Sequence, residues 1–122
     1  MKTPHSTFCV LPWVSLETSP IGTTRPCCLA EDEITDDNGK KYSLLTTDLN
    51  EVHNSNYMQK LRQQFLDGDK PDTCKKCWNE EHSGRTSKRM HTLNRLEHIV
   101  TDTEWTVNAK PLVFIDFKLG NI

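Results

Sequence analysis

Cysteines in two separate parts of this chain constrain its fold more than any other feature. Cys74 and Cys77 are separated by two residues, whereas Cys9, Cys27 and Cys28 lie far upstream. A Cys-x-x-Cys pair puts two sulfurs on one turn, where both can bind one metal centre. A structural centre normally takes four protein ligands. The upstream cysteines are therefore expected to supply the other two.

The composition also favours a stabilising metal centre. Hydrophobic residues make up 34% of the 122 residues, a low share for a globular domain. A small core leaves little net stability, so small domains often contain a metal or disulfides. The cysteine count is odd, and residues 1–12 lack the long apolar stretch of a signal peptide. We expect a cytoplasmic protein with reduced cysteines, which favours a metal.

Charge and hydropathy narrow the range of partners. The formal net charge is −2, which gives no argument for nucleic-acid binding. No apolar run approaches the ~18 residues of a transmembrane helix. We therefore expect neither a nucleic-acid partner nor a membrane partner.

The upstream segment predicts a β-hairpin from Phe8 to Leu29. Trp13, Val14 and Leu16 are assigned to its first strand, and residues 19–22 (Ser-Pro-Ile-Gly) have the composition of a tight turn. The hairpin is the first element of the predicted α+β fold, a small hairpin and helices around a cysteine-ligated centre.

The hairpin would bring two of the upstream sulfurs together. Cys9 precedes the first strand, and Cys27 or Cys28 ends the second. Adjacent residues of a strand point to opposite faces. Only one of Cys27 and Cys28 is therefore expected to face the metal, and the other is expected to be a buried thiol.

Helices are predicted in the middle of the chain. Asp48 and Glu51 form a capping-box pattern that begins one helix. Residues 56–67 carry an apolar stripe with helical spacing. A third helix is expected after the Cys-x-x-Cys pair, with Gly84 as the place where it would break. It would run to about Val100.

Residues 112–119 predict the last strand, which is followed by only three residues. The segment has little polar alternation, as is typical of a strand buried on both faces of a parallel sheet. Such a strand needs partners, so we expect this chain to be part of a larger protein.

Taken in order, these motifs resemble the SPASM/twitch domain, the auxiliary-cluster domain of many radical SAM enzymes. The matching motifs are Cys9-x-x-Pro12-Trp13, Gly22-x4-Cys27-Cys28, Leu61-Arg62 and Gly68-x-x-Pro71-x-x-Cys74-x-x-Cys77-Trp78. The resemblance extends over residues 8–89. It implies a fold organised around an iron–sulfur cluster.

The resemblance also implies a ligand set. A four-iron four-sulfur cluster would be ligated by Cys9, Cys27, Cys74 and Cys77. Cys27 is preferred because it holds the Gly-x4-Cys position, and Cys28 is its substitute.

Two tryptophans lie next to ligands. Trp13 and Trp78 are expected to form a hydrophobic shell around the cluster, and ordinary core packing is the alternative and compatible interpretation. Arg62 matches a family position, where a structural hydrogen bond is the expected role.

The end of the chain resembles the first strand of a radical SAM barrel. The resemblance implies an auxiliary-cluster domain over residues 1–105 and the start of a partial TIM-like barrel over residues 106–122. The Cys-x3-Cys-x2-Cys motif, whose cluster cleaves S-adenosylmethionine, would follow Ile122 in the missing barrel. The parent protein would be an enzyme acting on a peptide or protein, although this chain lacks the catalytic cysteines.

Two other functions use the same sulfurs. A zinc-stabilised four-cysteine binding module has the same ligands, and spacing does not separate zinc from iron–sulfur. A thiol–disulfide enzyme would use Cys74 and Cys77 only.

The basic cluster near the end of the chain and the histidines are not assigned to the metal centre. The last helix carries a basic cluster formed by Arg85, Lys88, Arg89 and Arg95. A solvated face is the preferred interpretation, and contact with an acidic substrate or with the missing barrel is the alternative. The five histidines show no metal-type pairing and are treated as non-ligands.

Overall fold

The computed structural model describes residues 2–101 and 104–117, which form a mixed α+β structure. Its helices within these ranges are α1 (Leu11–Val14), α2 (Leu49–His53), α3 (Asn56–Leu66), α4 (Lys75–His82) and α5 (Lys88–Leu96). Its strands are β1 (Ser15–Thr18), β2 (Thr24–Arg25) and β3 (Phe114–Phe117). A 3-10 turn, Asp72–Cys74, precedes α4.

The predicted hairpin is present but short. β1 and β2 pair antiparallel, with Glu17 opposite Arg25. The Gly22 amide donates to the Ser19 carbonyl at 3.0 Å and closes the turn. Gly22 has φ +87°, and a Cβ there would lie 2.8 Å from Ser43 Oγ. Only glycine fits this turn without strain.

The first strand begins later than predicted. Trp13 and Val14 lie in α1, and only Leu16 of the three assigned residues lies on β1. Pro12 is in the first turn of α1, where its fixed φ and missing N–H are compatible with a helix. All four residues of α1 are buried, so burial on every side, rather than strand alternation, explains this apolar run.

The main core lies around α1 and α3. Its buried members include Phe8, Trp13, Leu61, Phe65 and Leu96. A smaller core beneath β1 contains Leu16, Ile34, Val52 and Met58. In the described part of the chain, no helix is both long and apolar enough to cross a membrane.

The central helices follow the sequence pattern closely. α3 spans all but one residue of the predicted helix, and the Ser55 hydroxyl caps it by accepting from the Met58 amide. Asp48 is the N-cap of α2, but its side chain makes no capping hydrogen bond. Gly84, at φ +81°, lies in the connection between α4 and α5, as predicted. α5 ends at Leu96, short of the predicted Val100.

β3 confirms a strand at Phe114–Phe117, while residues 118 and 119 of the prediction lie outside the described residues. It pairs in parallel with β1, with Ile115 opposite Leu16, and the sheet order is β2-β1-β3. One face of this segment is open in the described part of the chain, where Val113 and Ile115 are each 41% exposed, and burial on both faces stays a prediction for the larger protein. β3 is an edge strand of this sheet, and one of its faces is partly exposed.

Arg62 joins α3 to the elements around it. Its side chain is fully buried. Its guanidinium donates to the carbonyl oxygens of Pro12 (2.9 Å), Val107 (3.1 Å) and His53. Burial lowers the pKa of Arg62 to about 10, so the group stays charged at neutral pH. The sequence predicted a structural hydrogen bond from Arg62. In the structure this buried cation donates to three backbone carbonyls.

Replacing Arg62 with methionine tests this role. Arg62→Met leaves three carbonyls without their donor, and hydrogen bonds to charged groups each contribute about 1.5–3 kcal/mol. Since such contributions are not fully additive between neighbours, we expect a loss of at least about 3 kcal/mol in the free energy of unfolding, measured by urea denaturation. Lys60→Met, at an exposed position of the same helix, is the control and should change little. Equal effects of the two substitutions would contradict this role.

Candidate metal centre

Four of the five cysteines line one cavity. Cys9 lies just before α1, Cys27 follows β2, Cys74 ends the 3-10 turn, and Cys77 lies in α4. Cys9 and Cys77 are buried, and the other two are half-buried. The structure thus brings together sulfurs from two distant parts of the sequence.

Hydrogen bonds to Thr73 join the two sulfur-bearing parts of the chain. The Thr73 carbonyl accepts from the Glu31 amide at 2.9 Å. Its hydroxyl oxygen accepts from the Asp32 amide at 3.0 Å. Thr73 precedes Cys74, and the loop that donates these bonds follows Cys27 by a few residues. These two bonds therefore fix the hairpin end against the Cys-x-x-Cys segment.

The Cys-x-x-Cys segment is ordered by Pro71. Its carbonyl accepts from the Cys74 amide at 3.0 Å and from the Trp78 indole at 2.9 Å. The Trp78 ring packs against Phe65 at 6.3 Å between centroids, and both rings line the cavity. Trp78 therefore shields the sulfurs directly.

Trp13 lies farther from the sulfurs than Trp78. Its ring packs on Phe8, which precedes Cys9, at 4.9 Å between centroids. Its indole donates to the Thr106 carbonyl at 2.7 Å. Trp13 supports the segment that carries Cys9 through the core, and it is not part of the cavity wall.

Cys28 does not line the cavity. It is exposed, so the expectation that the second of the adjacent cysteines is a buried thiol is wrong. β2 ends at Arg25, and Cys28 lies in the turn that follows. Strand alternation therefore does not extend to this pair, and the turn directs the Cys28 side chain to solvent.

Burial controls the protonation of the cavity thiols. It is the main cause that raises the pKa of Cys9, that of Cys27 to about 11 and that of Cys74 to about 12. The neighbouring cavity sulfurs raise these pKa values further. Without a metal these thiols stay protonated at neutral pH, so metal binding must release protons. A thiol–disulfide enzyme requires the opposite, a lowered thiol pKa, so this function is disfavoured for Cys74.

The donor set fits an iron–sulfur cluster. Four sulfurs share a cavity whose other walls are mainly apolar, formed by Leu11, Leu29, Ala30, Phe65 and Trp78, with Arg89 beside them. Among residues 2–101 and 104–117, no three His, Cys, Asp or Glu side chains form a group that could hold one metal ion. The four cysteines line one cavity, and a four-iron cluster takes four thiolate ligands.

Arg89 is a site residue that sequence reasoning missed. It was expected on a solvated basic face, but it is 7% exposed and lines the sulfur cavity. Its partner is Glu81, eight residues earlier on the other side of the Gly84 break. This spacing is outside the i, i+4 pattern by which a helical ion pair is found in a sequence.

Comparison with known protein families identifies the part of the chain that contains the cavity cysteines. A family model, SPASM, described as an iron–sulfur cluster-binding domain, matches residues 9–78. This range is more than half of the chain and contains all four cavity cysteines. The comparison with curated proteins and the comparison with solved structures gave no match.

Serine substitutions at the adjacent cysteines test the assignment of ligands. Cys27→Ser removes a sulfur from the cavity and should lower the bound iron and sulfide of the reconstituted protein severalfold. Cys28→Ser, the matched control one residue away, changes an exposed side chain and should leave both unchanged. Iron and sulfide assays measure the outcome. Loss of iron in Cys28→Ser with retention in Cys27→Ser would reverse the assignment.

Proposed function

The chain belongs to the SPASM family of iron–sulfur cluster-binding domains, and on that premise we propose that it holds an auxiliary four-iron four-sulfur cluster of a radical SAM enzyme. The observation that carries the proposal is the single cavity lined by Cys9, Cys27, Cys74 and Cys77. Each thiolate would bind one iron of the cluster.

The cluster, when bound, would supply one-electron transfer. Four cysteine ligands leave no iron open to a substrate, which favours electron relay or structural support over substrate binding. The chain's own contribution is to hold the thiolates and to keep water out. Phe65 and Trp78 cover one side of the cavity, and Leu11 and Leu29 cover others. Such an apolar shell controls solvent access and the potential of the centre.

A zinc-stabilised four-cysteine module is the second candidate, because zinc accepts the same four thiolates. A zinc ion would require all four sulfurs at ~2.3 Å from one point. The family's cluster-binding character favours iron–sulfur. Colour and metal content distinguish the two candidates.

Anaerobic reconstitution with iron and sulfide tests the choice of metal. The protein should become brown, with broad visible absorption and about four iron atoms and four sulfides per chain. The same preparation with zinc present is the competition control. A colourless protein with one zinc per chain and no iron would support the zinc module.

The parent protein, in this proposal, is a cytoplasmic radical SAM enzyme that modifies a peptide or protein. Residues 1–105 would form its auxiliary-cluster domain, and residues 106–122 would begin its partial TIM-like barrel. S-adenosylmethionine would bind in that barrel, at a Cys-x3-Cys-x2-Cys motif. The present sequence contains no cysteines with that spacing.

Incubation with S-adenosylmethionine and a strong reductant tests this division of roles. The reconstituted chain should produce no 5′-deoxyadenosine, because its sequence contains no Cys-x3-Cys-x2-Cys motif. A complete radical SAM enzyme treated in the same way is the positive control, and chromatography measures the product. Formation of 5′-deoxyadenosine by this chain would refute the assignment of an auxiliary role.

A further inference from the structure

The Arg89 side chain connects two ligand-bearing segments. One of its terminal nitrogens donates to the carbonyl oxygens of Phe8 (2.9 Å) and Ser6 (3.0 Å), immediately before Cys9. Its guanidinium lies 5.4 Å from the centre of the Trp78 ring, next to Cys77. Arg89 therefore reaches from α5 to both sides of the sulfur cavity, whose wall it also forms.

Glu81 holds the other edge of the same guanidinium. It accepts from Arg89 Nε at 3.0 Å and from a second guanidinium nitrogen. The Ser87 hydroxyl also donates to it, at 2.7 Å. Hydrogen bonding from Arg89 lowers the pKa of Glu81, so the carboxylate is charged at neutral pH. Arg89 thus places a positive charge in the cavity wall. Glu81, which is not a wall residue, places a negative charge next to it.

The position of the two charges has an electrostatic consequence. Arg89 is 7% exposed, and charges act more strongly where solvent screening is weak. Reduction adds one electron to the centre from an external donor. A nearby cation favours the reduced, more negative state, and a nearby anion opposes it. The net charge around a cluster is one of the factors that set its potential.

We infer that Arg89 and Glu81 are positioning residues that hold the Cys9 segment against α4 and set the reduction potential of the bound cluster. Arg89 raises the potential, and Glu81 moderates that effect while fixing the orientation of the guanidinium. This inference rests on the proposed function, because it concerns the potential of the cluster that the cavity is proposed to hold.

Charge-changing variants test the inference in both directions. Arg89→Gln should shift the midpoint potential to more negative values, and Glu81→Gln should shift it to more positive values. Arg89→Lys keeps the charge and should stay closer to the unmodified protein than Arg89→Gln does. The readout is a redox titration of the reconstituted chain, followed by electron paramagnetic resonance, after its iron content has been measured.

A second ion pair provides the matched control. Arg85 and Glu80 are 3.6 Å apart, and their side chains are 70% and 44% exposed. Arg85→Gln and Glu80→Gln make the same charge changes close by in the sequence. Solvent screens exposed charges, so these two variants should shift the potential less than Arg89→Gln and Glu81→Gln.

The outcomes separate the inference from the proposed function. An unmodified chain that binds no iron–sulfur cluster would refute the proposed function and with it the inference. Clusters of equal potential in Glu81→Gln and Glu80→Gln would overturn the inference alone. If Arg89→Gln does not retain iron, Glu81→Gln still gives the comparison, and an absent or negative shift of its potential would overturn the inference.

Discussion

The pair of hydrogen bonds that Thr73 accepts is the constraint on which the rest of this structure depends. They join the loop after Cys27 to the turn that presents Cys74, by bonds from the Glu31 and Asp32 amides. Arg89 separately ties the segment before Cys9 to α4, whereas these two bonds hold the loop after Cys27. With them the hairpin end and the Cys-x-x-Cys turn form one rigid wall, and the cavity lies in front of it.

Two buried arginines connect separate elements of this domain, whose apolar core is small. Arg62 ties α3 to α1 through backbone carbonyls, and Arg89 ties α5 to the segment before Cys9 in the same way. In both cases a cation satisfies backbone carbonyl oxygens, either in short helices whose last carbonyls have no partner within the helix or in irregular backbone. A chain with few apolar residues can thus order the loops that its metal centre needs. Arg89 differs from Arg62 in having a carboxylate partner, Glu81.

The parts of the fold that could be predicted are those set by local sequence. The stripe of α3, the glycine break at Gly84 and the turn at Gly22 follow from spacing and backbone freedom, and each is present. The parts that could not be predicted depend on neighbours distant in sequence. Trp13 is helical because α1 is buried on every side, the turn after β2 exposes Cys28, and Arg89 is buried by a partner across a helix break. Ligand number predicted that two upstream cysteines would join Cys74 and Cys77, whereas the choice of Cys27 over Cys28 came from the resemblance to the SPASM/twitch domain.

The convergence of four sulfurs on one cluster is the central claim, and X-ray diffraction at the iron absorption edge tests it most directly. Crystals of the reconstituted chain should show one compact group of anomalous iron density in the cavity, large enough for four iron atoms and bounded by Cys9, Cys27, Cys74 and Cys77. Iron bound by Cys74 and Cys77 alone, with Cys9 and Cys27 directed elsewhere, would contradict the account.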